Sequence, residues 1–208
     1  RDIGVTGVQT CALPIYLGYS LPNDLRCSLR IHDGQRLVGP GLIGSMSISN
    51  HYQSESLLDL TLLSNGLQNK EGLQGCIPIS FCVHTGNGQF LALSSQSGHR
   101  LGEMFWPSPD QSSDFLQRIP KRMNYFISAG SYSEWLCDFA NNLSAKLYPT
   151  INSEIYRFAL AGVVTTNGIT VKTTTAFLPE LSSINPPLFF FTYRISISMD
   201  KNCSLVSE

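Results

Sequence analysis

Two alternating segments near the C-terminus constrain the fold more than any other feature. One reads Ile-Thr-Val-Lys-Thr-Thr-Thr-Ala-Phe from Ile169 to Phe177; the other reads Phe-Phe-Phe-Thr-Tyr-Arg-Ile-Ser-Ile-Ser-Met from Phe189 to Met199. In an extended chain, side chains two positions apart share a face. Phe189, Phe191, Tyr193, Ile195, Ile197 and Met199 therefore line one side of the second segment, with Thr192, Arg194, Ser196 and Ser198 on the other. In the first segment Ile169, Val171, Thr173, Thr175 and Phe177 lie together, opposite Lys172 and Thr174. Asn167-Gly168 is a turn signal before the first strand, and Pro186-Pro187 closes the connection before the second. Six large apolar side chains on one face represent roughly 10 kcal/mol or more if fully buried, comparable with the stability of a small domain. Such a face predicts a second sheet packed against it. The sequence ends nine residues after Met199, so these strands are expected to open a larger β-sandwich.

Composition narrows the function classes. With a net charge of -1 and 14% charged residues, the chain has no basic run to meet a phosphate backbone. No apolar stretch reaches the length of a membrane span, and no basic start followed by an unbroken apolar core marks a signal peptide. The six cysteines show neither a C-x-x-C pair nor zinc-ligand spacing with histidine. Cys27, Cys82 and Cys137 sit among periodic apolar residues and are expected to be buried reduced thiols, in a reducing compartment. The opening, Val5-Thr-Gly-Val-Gln-Thr-Cys-Ala-Leu-Pro-Ile15, reads like the translation of a sequencing-library adapter. Residues 1–15 are therefore excluded from fold reasoning, as an adapter-derived segment.

From Tyr16 the pattern is mixed α and β. Pro22 suits the first turn of a helix carrying Leu25 and Leu29, with Gly34 as a stop. Residues 42–48 read as a strand, and Ser54 to Leu63 as a short helix capped by Ser54. Ile77 to Val83, Gln89 to Leu93 and Glu103 to Trp106 read as three closely spaced strands, the first two joined by a turn at Gly86-Asn87-Gly88. Pro107 to Arg122 reads as a loop. Ser131 with Glu134 forms a capping-box pattern that opens a helix with Tyr132, Trp135, Leu136, Phe139 and Leu143 on one face. Pro149 ends it, and 150–167 reads as a linker or short connecting helix.

The chemical motifs are weak. Gly39-Pro-Gly-Leu-Ile-Gly44 matches G-x-G-x-x-G, but Pro40 fills a variable slot and strand-like residues follow, so no helix N-terminus would face a pyrophosphate. It is read as a tight turn, and no cofactor or metal is expected. Cys82 and His84 share a strand face without a nearby carboxylate to orient them; a packed thiol beside a hairpin histidine is the expected reading. Asn50, His51 and Tyr52 form a polar-aromatic loop, the one candidate for a protein-recognition surface. No catalytic residue is assigned.

Several unbroken segments resemble known families in order. Leu21-Pro-Asn-Asp-Leu-Arg-Cys-Ser-Leu-Arg-Ile-His-Asp-Gly-Gln35 is similar to the entry motif of SUKH (Smi1/Knr4-like) domains. Pro40 to Ser45, Ser49 to Tyr52, Leu57 to Asp59, Ile77 to Gly86 and the helix around Trp135 extend that likeness. The strands from Ile169 to Met199, with Phe-Leu-Pro-Glu-Leu-Ser-Ser183 and Pro-Pro-Leu-Phe-Phe-Phe-Thr-Tyr-Arg194, resemble the start of an ApaG domain. That pairing resembles animal F-box proteins. It implies an α+β fold: a SUKH domain over 16–149, a linker over 150–167, and the first two strands of an all-β, immunoglobulin/fibronectin-like ApaG sandwich over 168–208, cut short. It also implies a fragment of the substrate-recognition subunit of an SCF-type E3 ubiquitin ligase, acting by binding and not by catalysis, in the nucleus and/or cytoplasm. Its partners would be protein substrates for ubiquitination. The Skp adaptor and cullin scaffold would be reached only through an F-box absent from these residues; no nucleic acid and no membrane are expected as partners. The alternatives are a free-standing SUKH-type protein-binding module and, less favoured, a small enzyme using Cys82 and His84.

Overall fold

A computed structural model describes residues 18–36, 40–46, 54–69, 72–83, 86, 88–107, 125–184 and 186–200. The first helix, α1 (Asn23–Ile31), begins after Pro22 and turns its Leu25 and Leu29 inward. Gly34, at φ +60, then lets the backbone pass close against Leu58 and Asp59, where a side chain would collide. Asp33 and Asp59 accept the amide protons of Leu60 and Leu62 at 2.8 Å each, so two carboxylates satisfy the open end of α2 (Leu60–Asn65). The helix expected from Ser54 therefore starts later. Ser54 instead accepts the Gly41 amide at 2.6 Å, and β1 (Ser56–Leu57) pairs with β3 (Ser80–Phe81). Residues 42–46 make only isolated bridges, Gly44 to Glu55 and Ser45 to Tyr156; the remainder of that expected strand lies outside the described residues.

The central sheet is antiparallel, in the order β2 (Cys76–Pro78), β4 (Phe90–Ala92), β5 (Met104–Pro107), β6 (Tyr125–Ala129). Alternation sorts its side chains. Ile77, Leu91 and Met104 enter the main core with Leu21, Leu25, Leu29 and Leu63, beneath α1 and α3 (Tyr132–Ser144). Cys76, Phe90, Ala92 and Phe105 face the other way, around Leu73. Gly88 lies so close to the carbonyl of Ser80 that any side chain there would displace the strand. The N-cap half of the expected capping box is present, with Ser131 Oγ accepting the Glu134 amide at 3.1 Å, but the Glu134 carboxylate reaches one residue further back, where Oε2 accepts the Gly130 amide at 2.7 Å. Tyr132, Trp135 and Phe139 are buried along the inner stripe of the helix. Cys82 is buried, but Cys27 and Cys137 are exposed. Both sit on the outer stripes of α1 and α3, off the leucine and aromatic faces, so the expectation of burial fails for them.

The segment 150–167 holds no helix. It forms the hairpin β7 (Thr150–Ile151) and β8 (Glu154–Ile155), followed by a strand, β9 (Ala159–Thr166). Asn167 and Gly168, at φ +49 and +74, form the two-residue turn between β9 and β10 (Ile169–Phe177). The residues of β9 are exposed on both faces, and its apolar Leu160, Val163 and Val164 follow no two-residue period, so there is no alternation to read; the ladder to β10 makes them a strand. β10 pairs on its other side with β13 (Phe191–Met199), from Ile169 opposite Met199 to Phe177 opposite Phe191. Between them lie a 3-10 turn (Pro179–Leu181) and the short hairpin β11 (Ser183–Ile184) and β12 (Pro187–Leu188).

This sheet meets the rest of the chain through one end of β10. Ala176 and Leu178 pack with Met46, Trp106, Tyr156 and Phe158, and Thr192 Oγ1 donates to the Met46 carbonyl at 2.9 Å. The opposite, apolar face of β13 is exposed throughout, from Phe191 to Met199. The face that alternation marks as a core is thus a solvent-facing surface in this chain.

Candidate recognition site

The loop Asn50, His51 and Tyr52 lies outside the described residues, as does His84. Cys82 itself is buried. The glycine-rich turn leads from Gly41 into isolated bridges at Gly44 and Ser45, and residues 47–53 after it lie outside the described residues. No three histidine, cysteine or acidic side chains among the described residues gather as a metal site.

The described residues offer a different feature, a pocket of about 290 Å³ between α3 and the sheet. Trp135 and Phe139 reach it from α3, Trp106 from β5, and Tyr148 from the turn after the helix. Asp138 and Asn142 stand one turn apart on α3 and give its polar edge. Asn142 Nδ2 donates to the Tyr148 hydroxyl at 3.1 Å, while the Phe139 and Tyr148 rings lie 5.9 Å apart. Ile43, Gln89, Ser128 and Arg157 complete the lining.

Behind the pocket is a buried polar network. The Glu55 side chain is fully enclosed. It pairs with Arg157, accepts Ser80 Oγ at 2.6 Å and accepts Gln89 Nε2 at 3.2 Å. Ser80 Oγ in turn accepts the Gln89 amide at 3.1 Å. The backbone on either side of Arg157 is fixed by the same region, with Ser45 N donating to the Ile155 carbonyl and Arg157 N donating to the Ser45 carbonyl. An enclosed carboxylate is tolerable only when its charge is paired and its lone pairs are occupied. The network meets that condition with Arg157, Ser80 and Gln89, brought from three separate segments.

Burial moves several titrating groups. It pushes the Cys76 thiol up, against a hydrogen bond to Ser97, which makes it a poor nucleophile. It raises the Tyr132 phenol, which is hydrogen-bonded to Ser28 at 2.9 Å, and it raises Tyr156, helped by the neighbouring Glu154. His99 stacks on Phe105 at 3.6 Å between centroids, and burial holds it below its ordinary value despite a contact with Glu103 at 3.3 Å. A histidine depressed in the folded state contributes stability above its unfolded value of about 6.5 and loses it as pH falls through the lower folded value. The urea midpoint is therefore expected to fall between about pH 7.5 and about pH 5.5, and to fall less in H99Q. Equal losses in the two proteins would remove His99 from the account.

Sequence reading found Trp135 and Phe139 as a core stripe but missed their second role. The signal was available: Asp138 and Asn142 interrupt the flank of that stripe, leaving aromatic and polar groups side by side on one helix. Glu55 and Arg157 gave no local sign, because their pairing spans 102 residues.

Comparison with known proteins places these features. Residues 14–138 match the SMI1 / KNR4 family (SUKH-1). Similarity continues past that region: F-box only protein 3 of Bos taurus is 44% identical over 193 residues, which cover 92% of this chain and 40% of that protein. The Homo sapiens protein of the same name shows the same identity and coverage, and that of Mus musculus is 44% identical with 39% of its length covered. The chain spans about two fifths of the length of these relatives. With more than half of its residues matching the family, and with helices and antiparallel strands mixed as an α+β fold requires, the chain belongs to the SMI1/KNR4 (SUKH-1) family.

Proposed function

We propose that this chain is the recognition part of an SCF-type E3 ubiquitin ligase receptor, holding protein substrates and catalysing no step itself. The observation that carries the reading is the 44% identity to F-box only protein 3 over 193 residues, 92% of the chain, which extends well beyond the SUKH region. A free-standing SUKH module would give similarity confined to residues 14–138. Binding also suits the chemistry: the charged groups of the interior are paired for stability, and the pocket joins aromatic surface to a few polar atoms. A receptor of this kind works by raising the local concentration of its substrate at the ubiquitin-charged enzyme. On this reading the Skp adaptor and cullin are met through an F-box outside these residues, in the nucleus and/or cytoplasm.

The test is a graft. This chain replaces the matching region of the human relative, and the hybrid is assembled with adaptor, cullin and charged ubiquitin enzyme. Proteins captured by the chain should then acquire ubiquitin in the assembly and not when the F-box is deleted. Captured proteins that stay unmodified in an assembly able to modify other targets would sink the proposal.

A further inference from the structure

We propose that the pocket between α3 and the sheet binds an arginine side chain presented by a protein partner. Its size fits one long side chain: about 290 Å³ lies at or below the lower limit of small-molecule sites, roughly 300 Å³. Its charge points to a cation. Arg157 is already matched by Glu55, whereas Asp138, exposed on α3, has no ion pair or hydrogen bond among the described residues. Among the described residues the pocket therefore carries one uncompensated negative charge. Its walls are two indoles, a phenyl ring and a phenol, from Trp106, Trp135, Phe139 and Tyr148. Aromatic faces attract cations, and a flat guanidinium stacks on them better than a strongly hydrated ammonium does. Asn142 spends its amide group on Tyr148, so its carbonyl oxygen is available as an acceptor one turn from Asp138. Two acceptors on consecutive turns suit the forked donors of arginine.

The inference rests on the recognition reading above only for the source of the side chain. Its test involves no ligase component, so the two readings fail separately. The chain's two tryptophans, Trp106 and Trp135, both line the pocket, and indole fluorescence reports its occupancy without a competing signal. The purified full chain is titrated with acetyl-Gly-Arg-Gly-amide and with the citrulline peptide, which keeps the shape and loses the charge. We expect a saturable change with arginine and at least about fivefold weaker binding of citrulline, with lysine weaker than arginine. Asp138 is exposed and outside the core, so D138N should fold normally, as far-UV circular dichroism would verify. It should weaken the arginine peptide at least about threefold and leave the citrulline peptide unchanged. Equal binding of arginine and citrulline, an arginine affinity untouched by D138N, tighter binding of lysine, or no saturable response to arginine would each overturn the assignment.

Discussion

Arg157→Leu is expected to destabilise the chain by about 3–5 kcal/mol, because it leaves the carboxylate of Glu55 buried without its counter-charge. Ser80 and Gln89 would still donate to Glu55, but neutral hydrogen bonds do not replace a cation at an enclosed carboxylate. The double variant E55L/R157L separates charge from shape. If the penalty comes from the stranded charge, removing both partners should recover much of the loss, since apolar replacements of buried pairs are often close to neutral. Urea unfolding of the three proteins measures this directly. A single-variant loss below about 1 kcal/mol would mean that water reaches Glu55, as at surface ion pairs.

Phe158→Ala should cost about 3–5 kcal/mol, whereas Ile197→Lys should change stability by no more than about 0.5 kcal/mol. The sequence alone suggests the reverse, since Ile197 lies in the cleanest alternating strand and Phe158 in an apparent linker. Exposure decides it: Phe158 is 1% exposed and Ile197 70%. Phe158 stacks on Tyr156 and packs with Met46, Trp106, Ala176 and Leu178, joining the C-terminal sheet to the rest of the chain. Unfolding midpoints at low protein concentration test both halves of the contrast. A large penalty for I197K that grows with protein concentration would show the β13 face covered by another molecule in solution.

How much was legible depended on how locally each feature is determined. Helix α3 has its N-cap and inner stripe within fourteen residues, Ser131 to Ser144, and both are legible locally, although Glu134 closes on Gly130 and not on the cap itself. The pairing of β10 with β13 was legible because strict alternation survives on both strands. β9 is not legible because Ala159–Thr166 is exposed on both sides and its apolar residues keep no two-residue period, so only the turn at Asn167-Gly168 and the ladder beyond it define the strand. β6 was overlooked beside a polar stretch; among its residues Ala129 is buried but Ile127 is exposed, which blurs the period. The start of α2 was misplaced because Ser54 looks like a cap, while Asp33, distant in sequence, and Asp59 perform that task. The site followed the same rule. Its aromatic residues were visible as a helical stripe, but no local pattern assembles Trp106, Tyr148 and Arg157 around Asp138.

The separation of Glu55 from Arg157 also sets a timetable for synthesis. The two residues lie 102 positions apart, and ribosomes add roughly 5–20 residues per second. Glu55 therefore leaves the ribosome roughly 5–20 seconds before the cation that neutralises it. During that interval the region around β1 and β3 must keep the carboxylate hydrated, so it has to stay open while α1, α2 and the first strands of the sheet are already available to pack. Newly made chains should pass through a state with apolar surface uncovered at that seam, which the arrival of residues 155–158 then closes.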